Sequence, residues 1–272
     1  MIERHDVDRD HAAKMVEHLS GTLDFWLDNV EEHPETLYNV YSRAISIGQY
    51  QCVVDPEGAR EWFRLAGQAL AAMYAGARSP GEPVTAVVQR PLRFTGPGPT
   101  TRTNAGLWRS AAWLAVIDRD DDRIRQVCGV DDDTLRAAGV EHDAFMYPWV
   151  ASVRAFLRRE EVTPEMFIPA IDGTDPEQAS NTPPDAMLRV VYPPILMFYQ
   201  VLRRDTDKFN AALEEALLQH RKWWTAAPDR ADEPDGFVAL EPLGVAVLAL
   251  TVGMPVTVTS DYLPEPLLRG VG

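Results

Sequence analysis

Apolar residues recur every three or four positions along most of the chain. This spacing places them on one face of an α-helix, as Ala12, Met15 and Leu19 are placed in the first segment. Several helix starts are also marked by an acidic or hydroxyl residue followed by proline, as at Asp55-Pro56. The side chain can cap the first turn, and proline fits its first position. The pattern therefore predicts a mainly α-helical protein.

One segment breaks the helical pattern. Prolines and glycines are frequent between Ser79 and Thr101, and two short runs of strand-forming residues, 84–88 and 92–94, lie among them. We expect one short β-hairpin near residues 84–95, which Pro91 confines to an edge position. The glycine-rich run 95–99 is expected to be a plain loop, because its prolines remove the N–H groups that a phosphate cradle needs. Residues 256–258 could form one more short strand.

Two stretches of the sequence resemble each other. In both 116–124 and 201–209, an apolar helix end meets an Arg-Asp-x-Asp sequence, and a new helix follows. The first aspartate of each is expected to cap the second helix, which makes a tight helix–turn–helix. Two such hairpins, together with the helical periodicity elsewhere, predict a single domain over residues 1–272, built from stacked antiparallel helix hairpins.

The charge of the chain is unevenly distributed. The formal net charge is −15, and segments 3–36, 118–143 and 229–241 carry −7, −5 and −4 of it, so the remainder is close to neutral. Such acidity disfavours binding of nucleic acid or an anionic membrane. It is typical either of a well-solvated surface or of a face that steers a basic protein partner. The candidate partner-binding residues are Asp118, Asp120, Asp121, Asp122, Asp131, Asp132 and Asp133.

The sequence contains no assembled catalytic signature. The motifs GxxxxGK(S/T), GxGxxG, HExxH and GxSxG are absent, and neither Cys52 nor Cys128 belongs to a CxxC pair. The histidines lack the spacing of metal ligands, and His220 lies on an apolar helix stripe, where a packed, hydrogen-bonded histidine is expected. We therefore predict no enzymatic activity, no cofactor and no metal.

The expected compartment is the cytoplasm. The N-terminus lacks the apolar core of a signal peptide, and the sequence shows no run of about 18 apolar residues that would span a membrane. The cysteine usage is that of a reduced compartment.

One arginine-rich segment is compatible with a second class of function, an enzyme or a small-ligand-binding protein. Residues 84–110 hold four arginines and no acid. If these arginines converge with Trp108 or Tyr192 around an anionic ligand, the same helical scaffold would serve an enzyme or a small-ligand-binding protein. A third alternative is a helical scaffold for some other partner. The four arginines are Arg90, Arg93, Arg102 and Arg109.

Short phrases between residues 104 and 264 carry a family resemblance. They include Asn104-Ala105-Gly106-Leu107-Trp108, Val191-Tyr192-Pro193-Pro194, Leu202-Arg203-Arg204-Asp205, His220-Arg221-Lys222-Trp223-Trp224-Thr225 and Ser260-Asp261-Tyr262-Leu263-Pro264. In this order they resemble the immunity protein 49 family of bacterial polymorphic-toxin systems, over most of the chain. The resemblance implies a cytoplasmic, mainly α-helical protein that binds and neutralises the toxin domain of a contact-dependent or secreted system. It carries over no catalytic residues, and segment 84–101 matches it less well.

The residues and the resemblance lead to the same expected function. Both indicate an acidic, helical chain without catalytic machinery, and an inhibitor needs only a complementary surface. Many toxin domains act on nucleic acid and are basic, so an acidic surface is a physically reasonable blocker. We therefore predict an immunity protein that neutralises a basic cognate toxin domain by stoichiometric, partly electrostatic binding.

Overall fold

The computed structural model describes residues 1–270 and divides into two compact units. The N-terminal unit is Asp8–Val140, and the C-terminal unit combines Met1–Val7 with the chain from Glu141 onward. The chain is 64% helical, and the described residues form a two-stranded antiparallel sheet. This confirms the predicted mainly α-helical fold with one short β-hairpin. The assignment of residues 1–272 to a single domain stays a prediction.

Helix α4 is the centre of the N-terminal unit, because it packs against α3, α5, α6 and β1. Its Phe63, Leu70 and Tyr74 are almost fully buried. Two short 3-10 segments, Pro34–Thr36 and Pro56–Ala59, precede α3 and α4. The elements of this unit are α1 (Arg9–Ser20), α2 (Leu23–Asp28), α3 (Leu37–Val54), α4 (Arg60–Ala77), β1 (Pro83–Val88), β2 (Arg90–Thr95), α5 (Ala105–Asp118), α6 (Asp121–Cys128) and α7 (Asp132–Arg136).

One face of the hairpin packs against the helices. Val84 pairs with Phe94 and Ala86 pairs with Leu92 in an antiparallel register. Side chains alternate between buried and exposed along both strands, so the apolar ones reach the core. The turn is tight, since a single residue, Gln89, joins the strands with a φ of 60°. The prediction of a hairpin near 84–95 is confirmed.

The glycine-rich run after β2 is part of the hairpin's attachment to α4. Gly96 approaches Ser79 so closely that a Cβ atom there would lie 2.0 Å from the Ser79 carbonyl oxygen. The N–H of Gly96 donates to Glu82 O, and the N–H of Gly98 donates to Gly76 O. These donors hold the loop to its own chain; residues 96–99 are a loop, as predicted, whereas Thr95 is the last residue of β2.

Three helices, α11, α12 and α14, pack on one another in the C-terminal unit. A π-helical turn, Met187–Val191, comes directly before Pro193 and Pro194, whose missing N–H groups interrupt the helical hydrogen bonds. A 3-10 turn, Pro234–Gly236, follows α13. The α-helices of this unit are α8 (Met146–Leu157), α9 (Pro164–Asp172), α10 (Pro184–Ala186), α11 (Tyr192–Arg203), α12 (Thr206–Trp224), α13 (Pro228–Ala231), α14 (Leu240–Thr251) and α15 (Glu265–Arg269).

The two similar sequence stretches, 116–124 and 201–209, fold alike. Arg119 and Arg204 end α5 and α11 in the left-handed backbone conformation, with φ of 57° and 53°. The next residues, Asp120 and Asp205, each accept the backbone N–H three positions further on, at 2.8 and 3.1 Å. Both aspartates therefore cap the following helix, as predicted.

Helix α14 is apolar on all sides and buried. Although no membrane-spanning run is expected from the sequence, the helical stretch Pro234–Thr251 is by length and composition apolar enough to cross a membrane. This stretch includes Asp235 and Glu241, and 67% of it is buried inside the fold. Such burial is typical of the core helix of a folded unit, so the stretch is weak evidence for a membrane segment.

Residues 256–258 have no regular secondary structure, so the prediction that they could form a short strand is wrong. The side chain of Asn210 on α12 satisfies the backbone in this region. Its amide nitrogen donates to Pro255 O at 2.9 Å, and its oxygen accepts the N–H of Thr257 at 2.8 Å. A side chain therefore takes the place of a neighbouring strand. An isolated parallel bridge joins Ile2 and Ser260 just beyond.

Asp143 holds the loop that leads to α10. Its carboxylate accepts the backbone N–H groups of Ser180, Asn181 and Thr182 at 2.7, 2.9 and 2.8 Å. Burial would raise the pKa of Asp143, but a hydrogen bond from the Thr182 side chain and those from the three backbone N–H groups outweigh burial and hold the pKa below its usual value. We expect Asp143→Ala to lower the free energy of unfolding by about 2 kcal/mol, because three N–H groups lose their acceptor in a part-buried place.

Urea unfolding of Asp143→Ala measures this loss. The matched control is Asp172→Ala, which removes an exposed carboxylate at the end of α9 and is expected to change stability by less than about 0.5 kcal/mol. Equal losses in the two variants would show that Asp143 does not hold the loop.

Candidate partner-binding cleft

An open cleft of about 420 Å³ lies between strand β1 and helix α6 in the N-terminal unit. Helix α4 forms its floor with residues three and four positions apart, which share one helix face. Three of these floor residues are alanines, so the floor is low and the cleft stays open. The lining residues are Gln68, Ala71, Ala72, Ala75 and Arg78 of α4 and its end, Thr85, Ala86 and Val87 of β1, and Asp120, Asp122, Arg123 and Gln126 at α6.

The cleft has polar ends and an apolar middle. Asp120 and Asp122 lie at the start of α6, and Arg78 follows the last turn of α4 at the other end, against Gly129. Val87 on the β1 wall is 57% exposed, which is unusual for a large apolar side chain. The arrangement suits a protein segment better than a small anion.

Asp118 is the centre of an ion-pair cluster and is withdrawn from solvent. Its side chain is only 7% exposed. Arg64 Nε lies 3.2 Å from both carboxylate oxygens, Arg123 Nη1 lies 3.1 Å from one of them, and Arg60 Nε lies at 3.7 Å. The carboxylate therefore ties together α4, α5 and α6. Its position is that of a structural residue, and a partner could reach it only by displacing these arginines.

The three aspartates at the start of α6 have different surroundings. Asp120 caps α6 and also pairs with the buried Arg123, with 2.9 Å between Oδ2 and Nη2. Asp122 is 80% exposed and pairs with Arg125 on the surface. Asp121 is exposed in the first helical turn. Asp121 and Asp122 are thus the two that an approaching protein meets first.

The second predicted group, Asp131 to Asp133, surrounds the start of α7. Asp131 caps this helix by accepting the N–H of Thr134 at 2.8 Å. Asp132 is half-buried, and Asp133 is exposed. All three lie within the N-terminal unit but outside the lining of the cleft. The predicted aspartates are therefore spread over a surface that includes the cleft without being confined to it.

Two of the four arginines of segment 84–110 engage their guanidinium groups close by, and a third makes a contact through its backbone. Arg90 pairs with Asp28, the backbone N–H of Arg93 donates to Glu31 at 2.9 Å, and the guanidinium of Arg102 lies 3.9 Å from the ring centre of Tyr38. Arg109 is half-buried on α5. None of the four lines the cleft.

The two aromatic residues proposed to complete an anion site lie in different units. Trp108 is fully buried and donates its Nε1–H to Val127 O at 2.9 Å, so it faces no open pocket. Tyr192 opens α11 in the C-terminal unit. It lines a second groove, of about 390 Å³, between the π-helical turn and α12, together with Leu188, Arg189 and Pro193. Neither the cleft nor this groove is lined by any of the four arginines.

Metal-ligand clusters were also absent among residues 1–270, where no group of three or more histidine, cysteine or acidic side chains is placed to hold an ion. Sequence reasoning missed the β1 wall and the alanine floor of the cleft. The sequence offered one hint of the β1 wall: the apolar Val87 occupies a position of β1 whose side chain points to solvent. The proximity of Val87 to Asp122 comes from tertiary packing alone.

Comparison with known proteins identifies the family to which the chain belongs. A family model described as immunity protein 49 matches residues 54–267, which include the cleft and extend over both units. No curated protein and no solved structure matches the chain. The matched range covers most of the chain and includes every phrase on which the resemblance rests. The chain therefore belongs to the immunity protein 49 family.

Proposed function

We propose that this chain neutralises a cognate bacterial toxin domain in the cytoplasm by binding it stoichiometrically. The observation that carries the proposal is the family match over residues 54–267, since the family is one of immunity proteins. The physical features support a binder: exposed carboxylates, an open cleft and no catalytic motif in the sequence. Neutralisation by binding requires no bond to be made or broken, only a covered toxin surface.

We further propose that the partner is a basic protein and that the interaction is partly electrostatic. The chain carries a net charge of −15, and segment 118–143 carries −5 of it. Exposed charges around a binding surface accelerate association by steering, and they contribute less to the lifetime of the complex. This part of the proposal concerns protein binding; nucleic acid and membrane are not the partners, because a chain of this charge is repelled by both.

The proposal is tested with the toxin domain encoded beside this chain's gene. Co-expression is expected to restore growth of cells that make the toxin, and the purified mixture is expected to elute as one complex of equimolar composition. Failure of rescue together with absence of a complex would refute the proposal. Rescue without a complex would point to a catalytic role instead.

The electrostatic part has its own expected result. Replacing Asp121, Asp122 and Asp133 with asparagine is expected to slow association about tenfold at low salt, while dissociation changes little, because rim charges act on the encounter. Stopped-flow association at several salt concentrations measures this effect.

A matched triple variant controls for the loss of three charges in general. It replaces the exposed Glu161, Glu177 and Glu214, which lie in the C-terminal unit outside the three acidic segments, with glutamine. If both triple variants slow association equally, net charge rather than the N-terminal surface steers the toxin. If wild-type association is insensitive to salt, electrostatic steering is the wrong account.

A further inference from the structure

The two edges of the hairpin are treated differently by the rest of the N-terminal unit. On the β2 edge, the N–H of Arg93 points outward and is accepted by Glu31 Oε1 at 2.9 Å. Pro91, two positions earlier, has no N–H to offer. Both features protect an edge strand from pairing with another chain. The β2 edge is therefore closed.

The β1 edge is open. In an antiparallel pair, opposite residues direct their backbone polar groups the same way relative to the ladder, either both inward or both outward. Because Arg93 points outward, its register partner Thr85 also points outward, and so does Val87, which lies opposite Pro91. Between residues 1 and 270, no partner is recorded for the N–H or C=O groups that Thr85 and Val87 turn away from the ladder.

This open edge forms one wall of the cleft described above. Thr85, Ala86 and Val87 line the cleft as consecutive residues, whereas no β2 residue lines it. Thr85 and Val87 are exposed, so solvent reaches both. The edge thus presents two donors and two acceptors in a row to a trough that is floored by alanines and closed on the far side by α6.

The charges at the two ends of the cleft differ in sign. Near the hairpin tip, where Gln68 accepts the N–H of Gln89, lie Asp120 and the exposed Asp122. Arg123 is 7% exposed and paired with Asp118 and Asp120, so it offers little free positive charge there. Arg78 is exposed at the opposite end. A segment that carries a basic residue toward the tip and an acidic residue toward Arg78 would complement both ends.

We propose that an extended segment of the toxin adds as a third strand to the β1 edge, lying in the cleft between β1 and α6. Its backbone pairs with Thr85 and Val87, and a basic side chain faces Asp122. The proposal rests on the proposed toxin-binding function for the identity of the partner. The open edge and the polarity of the cleft specify the strand geometry and the charge of the segment.

A pair of variants at one position isolates the backbone contact. Val87→Pro removes the outward N–H without removing a ladder hydrogen bond, and Pro91 already occupies the opposite position in β2. Val87→Thr keeps the N–H and the branched shape. We expect Val87→Pro to bind the toxin domain at least about tenfold more weakly than Val87→Thr, because one strand hydrogen bond is lost and the ring obstructs the added strand.

Hydrogen exchange of the unmodified chain gives a second readout that needs no variant. The N–H groups of Thr85 and Val87 are expected to exchange quickly in the free chain and at least about tenfold more slowly in the toxin complex. Reversal of one charge, Asp122→Lys, is expected to weaken binding, and a toxin segment with its basic residue changed to glutamate is expected to restore it.

The outcomes separate this proposal from the general function. If the wild-type chain binds and neutralises the toxin, but Val87→Pro binds as Val87→Thr does and the two N–H groups stay unprotected, strand addition is refuted and the immunity function stands. If the wild-type chain does not bind the toxin, both proposals fail. If the free chain forms a dimer that Val87→Pro abolishes, the edge belongs to a second copy and the proposal is overturned.

Discussion

Asp118→Ala is expected to lower the free energy of unfolding by about 3 kcal/mol, because it removes one of the two carboxylates that pair with the buried Arg123 and leaves only Asp120 beside it. Arg123 is 7% exposed, so its guanidinium cannot be rehydrated without moving α6. Arg60 and Arg64, at 22% and 47% exposure, can turn to solvent at little cost. The loss therefore comes mainly from the buried Arg123, whose charge keeps only Asp120 as a counter-charge. Urea unfolding monitored by circular dichroism measures it.

Two further variants make this expectation specific. Asp121→Ala removes an exposed carboxylate three residues away and is expected to change stability by less than about 0.5 kcal/mol. The double variant Asp118→Leu with Arg123→Met removes both charges and is expected to lose less stability than Asp118→Ala alone, since a well-packed apolar pair can replace a buried ion pair. A double variant as unstable as the sum of its single changes would contradict the ion-pair account.

The role of Asp118 marks a limit of prediction from the sequence. Four aspartates lie between positions 118 and 122, and the sequence presents them as one acidic run. The structure separates them into a buried ion-pair centre, a helix cap and two exposed charges. The difference depends on Arg64, which is 54 residues away along the chain and meets Asp118 only after α4 and α5 have packed. No local pattern contains that information.

The arginine-rich segment 84–110 shows the same limit of prediction for positive charges. Its local excess of positive charge suggests an anion site, yet Arg90 pairs with Asp28 and the N–H of Arg93 bonds Glu31, both 62 residues away. A basic segment and an acidic segment thus meet in the fold, and the Arg90–Asp28 ion pair compensates one charge of each. The surface potential of the N-terminal unit therefore cannot be obtained by adding charges along the sequence.

Features determined by neighbouring residues were predictable. The caps at Asp120 and Asp205 each need only a carboxylate three positions before an N–H, and the hairpin needs only alternation between breakers. The exception is 256–258, where apolar alternation resembled a strand but Asn210 of α12 supplies the hydrogen bonds. The β1 edge could be located from the hairpin prediction, but its openness depends on which side chains reach each edge.

Acidification below pH 6.5 is expected to destabilise the C-terminal unit through His220. The pKa of His220 is lowered from 6.5 to about 4, mainly by burial; the hydrogen bond to Gly236 O opposes this shift, and the positive charge of His5 and Arg4 adds to it. The unfolded chain then binds a proton near pH 6.5, where the folded chain does not. Stability is therefore complete above pH 6.5 and is lost as pH falls toward 4, by about 3 kcal/mol in all.

The groups around the ring explain why it stays neutral. Its Nε2 lies 3.0 Å from Gly236 O, so the neutral tautomer that donates there is satisfied. The ring packs edge-on against Tyr262, with 4.9 Å between ring centres, and against Trp224. His5, whose own pKa is lowered by burial, bonds the Tyr262 hydroxyl at 2.8 Å. None of these neighbours is a carboxylate, so the positive charge of a doubly protonated His220 ring would have no counter-charge among them.

Two measurements test the pH dependence independently. NMR titration of the folded chain is expected to give His220 a pKa of about 4. Between pH 7 and pH 4, the wild-type chain is expected to lose about 3 kcal/mol more stability than His220→Gln, because glutamine stays neutral throughout and can still donate to Gly236 O. The carboxylates titrate in both proteins, so their contribution cancels in the comparison. An NMR pKa near 6.5, or parallel stability curves for the two proteins, would show that the buried ring accepts its proton without cost.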